Sequence, residues 1–201
     1  SKLWRATTFL DLNGTIFGEE QTLAHGIVPS SSPQGLVSAG TMPGEPVPAG
    51  TFGHLVVPAQ TVPNNQYISA YYLTFDHWYH LDSTISGGGD GTWVEYRLQS
   101  NSNWGNWSYM EPQGGYPSTL STDAPVPSGA SSPVPVFASD SHSGWVTSNF
   151  SLSSLSGIDQ ADNIQFRFVI WTHPDSINER PGWFIDQIEI INEGVDLDVW
   201  H

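Results

Sequence analysis

Apolar and polar residues alternate with a period of two along most of this chain, which is the signature of β-strands with one buried face. The clearest case follows the turn Pro181-Gly182. There Trp183, Ile185 and Gln187 alternate with Phe184, Asp186, Ile188 and Ile190. The pattern predicts a strand over residues 183–192. Others are predicted over 4–12, 53–57, 67–77, 92–98, 135–138, 144–150 and 164–172, with a short last one over 195–200. Between them lie turn-formers, among them Gly87-Gly88-Gly89-Asp90-Gly91, Pro112-Gln113-Gly114-Gly115 and His173-Pro174-Asp175. A helical period of 3.6 is nearly absent, and Leu152-Ser153-Ser154-Leu155 reads as a single turn. Many short strands separated by such turns predict an all-β protein, an antiparallel β-sandwich with long Pro/Gly/Ser loops. Residues 29–50 and 117–135 are the two Pro-rich stretches and read as those loops.

Asp186 is the anomaly in the pattern, because it shares the apolar side of its strand with Phe184 and Ile188. A carboxylate placed there must be hydrogen-bonded, ion-paired or bound to a metal.

Composition narrows the class further. The 201 residues suit one large β-domain, with residues 1–50 as an extended arm and loop and 195–201 as a tail. The net charge of −15 argues against nucleic acid and anionic membrane as partners, since both repel such a surface. Divalent cations, glycans and other protein subunits remain open. Charged residues make up only 12%, so Ser, Thr, Gly, Pro and Asn carry the polarity, as in extracellular β-proteins. Cysteine is absent, so a secreted domain of this kind needs a large core, a metal or neighbouring subunits as its brace. No apolar run is long enough to span a bilayer, and no membrane insertion is expected. The start Ser1-Lys2-Leu3-Trp4 reads as a mature or excised end. Three sequons make Asn13, Asn106 and Asn149 candidate glycosylation sites.

Four segments carry a family resemblance. They are Tyr72-Leu73-Thr74-Phe75-Asp76-His77-Trp78-Tyr79, Asp90-Gly91-Thr92-Trp93-Val94-Glu95-Tyr96, Gln165-Phe166-Arg167-Phe168 and Pro181-Gly182-Trp183-Phe184-Ile185-Asp186. With Trp104, Trp107 and Gly115-Tyr116-Pro117 between them, their order resembles that of MAM-like jelly-roll modules. Such modules occur beside immune inhibitor A-type metalloproteases and in prokaryotic surface proteins. The resemblance spans residues 53–194 and implies a jelly-roll core and a structural calcium. The carboxylates nearest the motifs are Asp82, Asp90, Glu95 and Asp186, with Asp90 and Asp186 the leading ligands.

Other residue types point to contacts and not to catalysis. Seven His are present without an HExxH or a second pair at zinc spacing, and His77 reads as a satisfied structural residue. Arg167, between Phe166 and Phe168, is expected to pair with Glu95 or Asp186. Of nine Trp, Trp93, Trp145, Trp171 and Trp183 are expected in the core. Trp104, Trp107 and Tyr109 lie in an Asn-rich loop whose aromatic faces and amides suit sugar hydroxyls. A retaining glycosidase would need two facing carboxylates, such as Glu95 and Glu189, and nothing in the sequence requires that. The sequence therefore predicts a non-catalytic extracellular adhesion or surface module, calcium-braced. Two further readings are a carbohydrate-binding module and a filament subunit that assembles by strand addition through residues 1–12 or 195–200.

Overall fold

A computed structural model describes residues 4–8, 21–23, 26–28, 37–41, 45–62, 68–83, 89–139, 141, 143–178 and 180–194. Its strands are β1 (Trp4–Thr8), β2 (Gln21–Leu23), β3 (Gly26–Val28), β4 (Val37–Thr41), β5 (Phe52–Val56), β6 (Gln60–Thr61), β7 (Ile68–His80), β8 (Gly91–Ser100) and β9 (Asn103–Trp104). They continue as β10 (Ser108–Met110), β11 (Ser118–Thr119), β12 (Pro135–Val136), β13 (Val146–Ser151), β14 (Asn163–Trp171) and β15 (Gly182–Gly194). Among the described residues the one helical piece is a 3-10 turn, Ile158–Gln160.

The fold is an antiparallel β-sandwich. One sheet runs β1-β4-β15-β7-β13, and the other runs β10-β8-β14-β5, with β6 on β14 and β9 on β8. Alternation decides what faces inward. Leu73, Phe75 and His77 of β7 meet Trp183 and Ile185 of β15 on one inner face, and Val94, Phe166 and Phe168 supply the other. The two layers lock through rings. Phe75 meets Phe168 edge-on at 5.0 Å, and Phe168 lies 5.6 Å from Trp183. A fully buried His77 sits among these rings, accepting a hydrogen bond from Trp183 Nε1–H at 3.1 Å on Nδ1 and contacting Ser148 Oγ at 2.9 Å through Nε2. It is satisfied, as the sequence predicted.

Three expectations change. Residues 37–41, inside the stretch expected to be loop, form β4, which enters the sheet between β1 and β15. Residues 4–8 pair within their own sheet as β1, the placement preferred for the N-terminus from the sequence. The Asn-rich aromatic loop also contains two short strands, β9 and β10, that continue the β8 hairpin. The third concerns the face of Asp186. A bulge between Asp186 and Glu189, with Gln187 at φ 50°, inverts the alternation of β15 partway along. Trp183 and Ile185 point into the core before it and Ile190 packs on the core after it, so Asp186 lies on the outer face with Phe184. Of the Trp expected in the core, Trp93, Trp171 and Trp183 are buried, while Trp145 is half-buried against the small outer cluster of Trp78 and Phe184. The last predicted strand, residues 195–200, lies outside the described residues, as do residues 9–12 of the first predicted strand and Asn13.

Candidate ligand-binding face

The outer face of the β8–β14 sheet is built by the residues that alternate with the core. On β8 these are Trp93, Glu95, Arg97 and Gln99. On β14 they are Asn163, Gln165, Arg167 and Val169, each directly opposite its partner. Half of this face is closed. At Gly91 an added Cβ would lie 2.5 Å from Val136 and 2.7 Å from Leu120, so residues 118–136 fold over the start of β8. Leu120, Val134 and Val136 are fully buried there.

Polar pairs tie the covered half to the open half. Arg167 forms an ion pair with Glu95, with Nε donating to Oε2 at 2.7 Å, while Trp93 Nε1–H donates to Glu95 Oε1 at 2.7 Å. Both carboxylate oxygens of a 3% exposed Glu95 are thus engaged, which is what a buried charge requires. The Arg167 partner expected from the sequence was Glu95 or Asp186, and it is Glu95.

One register step further along, Arg97 meets a neutral residue instead. Its Nε and Nη2 both donate to Gln165 Oε1, at 3.0 and 2.7 Å. Gln165 is held in turn by donating Nε2–H to the Val57 carbonyl at 3.0 Å. The Arg97 guanidinium lies 4.6 Å from the ring centres of both Trp104 and Trp107, and Arg167 lies 4.6 Å from Trp107. Cation–π attraction of this kind contributes about 0.5–2 kcal/mol per pair and fixes both partners. Trp104 and Trp107 remain half-exposed. On β5, Val56 is 41% exposed opposite Arg167, and Phe52, 58% exposed, lies at the far end of the face against Trp93.

A polar cleft of about 460 Å³ opens at the end of the sheet, lined by Thr61, Asp159, Gln160, Asp162 and Asn163. Asn163 donates Nδ2–H to Gln99 Oε1 at 2.7 Å, and Gln99 is the register partner of Trp104. The cleft thus adjoins the aromatic face. Tyr109 does not belong to it. Its ring is buried under residues 128–135 and its hydroxyl donates to the Pro135 carbonyl at 2.6 Å, so the sugar-stacking role expected of Tyr109 is corrected by its burial. Asn106 and Asn149 are exposed and sterically open to modification.

The four candidate metal ligands do not converge. Asp82 and Asp90 come together where β7 ends and β8 begins. Asp90 N–H donates to the Asp82 carbonyl at 2.7 Å, and Asp82 N–H donates back to Asp90 Oδ2 at 3.3 Å. Gly89 is required between them, since a Cβ there would lie 1.9 Å from the Asp82 carbonyl oxygen. Asp90 Oδ1 also accepts the His173 N–H at 2.8 Å, and Ser176 Oγ donates to Asp82 Oδ2 at 3.3 Å. Burial pushes the Asp90 carboxyl up to about 7, and the Asp82 charge adds to this. The two backbone donors and the Arg180 charge pull the other way and lose. Glu95 lies five residues along β8, in its own ion pair. Asp186 lies in the opposite sheet, directly across from Asp76. Its Oδ1 accepts the Gln187 N–H at 2.9 Å, and its Oδ2 is buried with no hydrogen-bond partner. Among the described residues no group of three or more His, Asp or Glu is placed to hold a metal. Glu95 and Glu189 stand on different sheets and form no facing pair.

Sequence reasoning named Trp104 and Trp107 and missed Arg97 and Gln165 as their neighbours. The signal was present: Arg97 is two residues from Glu95 on one strand, so both point the same way. No protein-family model matches this chain, and no curated protein matches it in sequence.

Proposed function

We propose that this chain is a non-catalytic extracellular adhesion module that binds glycans through the face formed by Arg97, Trp104 and Trp107. One observation carries the reading. Two half-exposed indoles pack on one guanidinium on the open half of the sheet, beside a cleft lined by amides and carboxylates. Flat indoles take sugar rings by stacking, while fixed amide and carboxylate groups take hydroxyls. Arg97 is held by the register of β8 and β14, and Trp104 on β9 and Trp107 in the β9–β10 loop each pack 4.6 Å from its guanidinium, which lowers the ordering cost of binding. The extracellular setting rests on the low charged fraction, with polarity carried by Ser, Thr, Gly, Pro and Asn, and on the exposed sequon residues Asn106 and Asn149. Among the described residues no helix is long and apolar enough to cross a membrane.

The test is affinity electrophoresis in gels cast with soluble polysaccharides. The parent is expected to be retarded by at least one of them. The variant Trp104→Ala with Trp107→Ala should migrate as in a blank gel while keeping its near-UV circular dichroism. Equal retardation of parent and variant would remove this face from the proposal.

Calcium is the cofactor this reading takes. The residues fit it in part, because Asp186 Oδ2 is buried without a hydrogen-bond partner and Asp186 stands opposite Asp76 in the register, where two like charges favour a bridging cation. Asp76 and Asp186 would hold the ion, with carbonyls and water supplying the rest of its six to eight oxygens. At calcium a hundredfold above its Kd, ligand linkage predicts a melting temperature about 5–10 °C above that in chelator. The Asp186→Asn variant should show no such gap. A parent that melts identically in calcium and chelator excludes the ion.

A further inference from the structure

Arg97 is an unusual cation for a chain in which acidic residues outnumber basic ones 20 to 5. Carboxylates are abundant, yet the residue opposite Arg97 in the register is the neutral Gln165. One step along the same two strands, Arg167 is neutralised by Glu95. Among the described residues, Arg97 has no carboxylate partner.

Its geometry leaves a defined set of donors. A guanidinium carries five N–H groups in a fixed plane. Nε–H and one Nη2–H are engaged by Gln165 Oε1. The remaining Nη2–H and the two Nη1–H groups form the distal edge of the fork. Trp104 and Trp107 each lie 4.6 Å from its centre and, with the two hydrogen bonds to Gln165, hold the plane in place. Such an edge matches a carboxylate by two parallel hydrogen bonds, a geometry that lysine cannot reproduce. Two half-exposed indoles stand next to it.

We infer that Arg97 selects carboxylate-bearing sugars, so that the ligand is a polyuronate, its carboxylate on the distal Nη1–Nη2 edge of Arg97 and its ring against Trp104 or Trp107. This rests on the glycan reading above and adds the ligand class. The net charge of −15 does not forbid it, because charges more than about 8 Å away are largely screened at physiological ionic strength. The nearest charges on this face are the paired Arg167 and Glu95 and the unpaired Arg97. Asp159 and Asp162 line the neighbouring cleft, and this predicts that the flanking sugars are bound there through hydroxyls and not through further carboxylates.

The full chain is tested against polygalacturonate, the same polymer with its carboxylates reduced to hydroxymethyl groups, and poly-glutamate. The expected result is binding to polygalacturonate that weakens at least tenfold on carboxyl reduction, with no binding to poly-glutamate. Arg97→Gln should lose the same factor, and Arg97→Lys should fall between, since it keeps the charge without the planar fork. The comparison of the polymers uses the parent alone, so it stands even where a variant fails to fold. Equal affinity for the charged and reduced polymers overturns the inference and leaves the glycan reading intact. Equal binding of poly-glutamate overturns the selection of sugars. Binding to none of these and to no neutral polysaccharide overturns both.

Discussion

Replacing Gly182 by alanine is expected to destabilise the fold by about 3–5 kcal/mol, although it adds a single methyl group. Gly182 opens β15 at φ 96°, a conformation that costs a side chain about 1–3 kcal/mol. Space is the second obstacle. The added Cβ would lie 2.0 Å from Thr41 Oγ1 and 2.6 Å from Val47 Cγ2. Overpacking of this kind costs a further 1–3 kcal/mol. Thr41 cannot move without loss, because its buried Oγ1 accepts the Trp183 N–H at 2.8 Å and donates to the Trp183 carbonyl at 3.3 Å. That clamp joins the end of β4 to the start of β15, where Trp183 enters the core. Equilibrium urea denaturation measures the effect. Adding Thr41→Ala to Gly182→Ala should recover part of the overpacking and none of the backbone strain, so the two costs should be less than additive. A Gly182→Ala protein within 1 kcal/mol of the parent would contradict this account.

The second large effect is hidden in the parent protein. Burial pushes the Asp90 carboxyl from 3.8 up to about 7 and holds the His77 imidazole from 6.5 down to about 3. The signs oppose. The raised Asp90 contributes stability that is fully present below its unfolded value near 4 and is lost as the pH rises towards 7. The depressed His77 contributes stability that is present above 6.5 and is lost as the pH falls towards 3. Between about pH 4 and 6.5 the folded state holds one proton more than the unfolded state at Asp90 and one fewer at His77. The two slopes, each about 1.4 kcal/mol per pH unit, cancel. Asp90→Asn removes one of them. Its amide oxygen can still accept the His173 N–H, and the longer Asp82 N–H bond to Oδ2 is lost, a cost that does not vary with pH and leaves the slope as the readout. The variant's unfolding free energy should therefore rise with pH relative to the parent, by about 3 kcal/mol in total between pH 4 and 6.5. Urea midpoints of both proteins across that range give the answer, and parallel profiles would mean that Asp90 titrates normally.

The fold was legible in the sequence where burial is one-sided. Alternation located β5, β7, β8, β13, β14 and β15 within a few residues, because a strand packed on a core must place an apolar side chain at every second position. It failed where pairing is made by short or small residues. The stretch Val37-Ser38-Ala39-Gly40-Thr41 has one large apolar side chain and follows a Pro-rich run, yet it forms β4 in the middle of a sheet. Its place is set by main-chain pairing with β1, about thirty residues back, and with β15, more than a hundred residues on, which local patterning does not encode.

The candidate site divides in the same way. The aromatic content of residues 101–109 pointed to Trp104 and Trp107, because residue type alone carries that chemistry. Their pairing with Arg97, the neutral partner Gln165 and the burial of Tyr109 depend on register across β8, β9, β10 and β14. Asp186 shows the limit most sharply. Its period-two position assigned it to the face of Ile188 and Ile190, and one bulge residue, Gln187, separated it from that face. The sequence by itself determined the all-β class, the acidic surface and most of the core, because these follow from residue chemistry and a local period. Only the tertiary structure decided which carboxylates meet, which guanidinium stays unpaired and which side of a strand faces water. Those depend on contacts between strands far apart in the chain, and a single inserted residue inverts them.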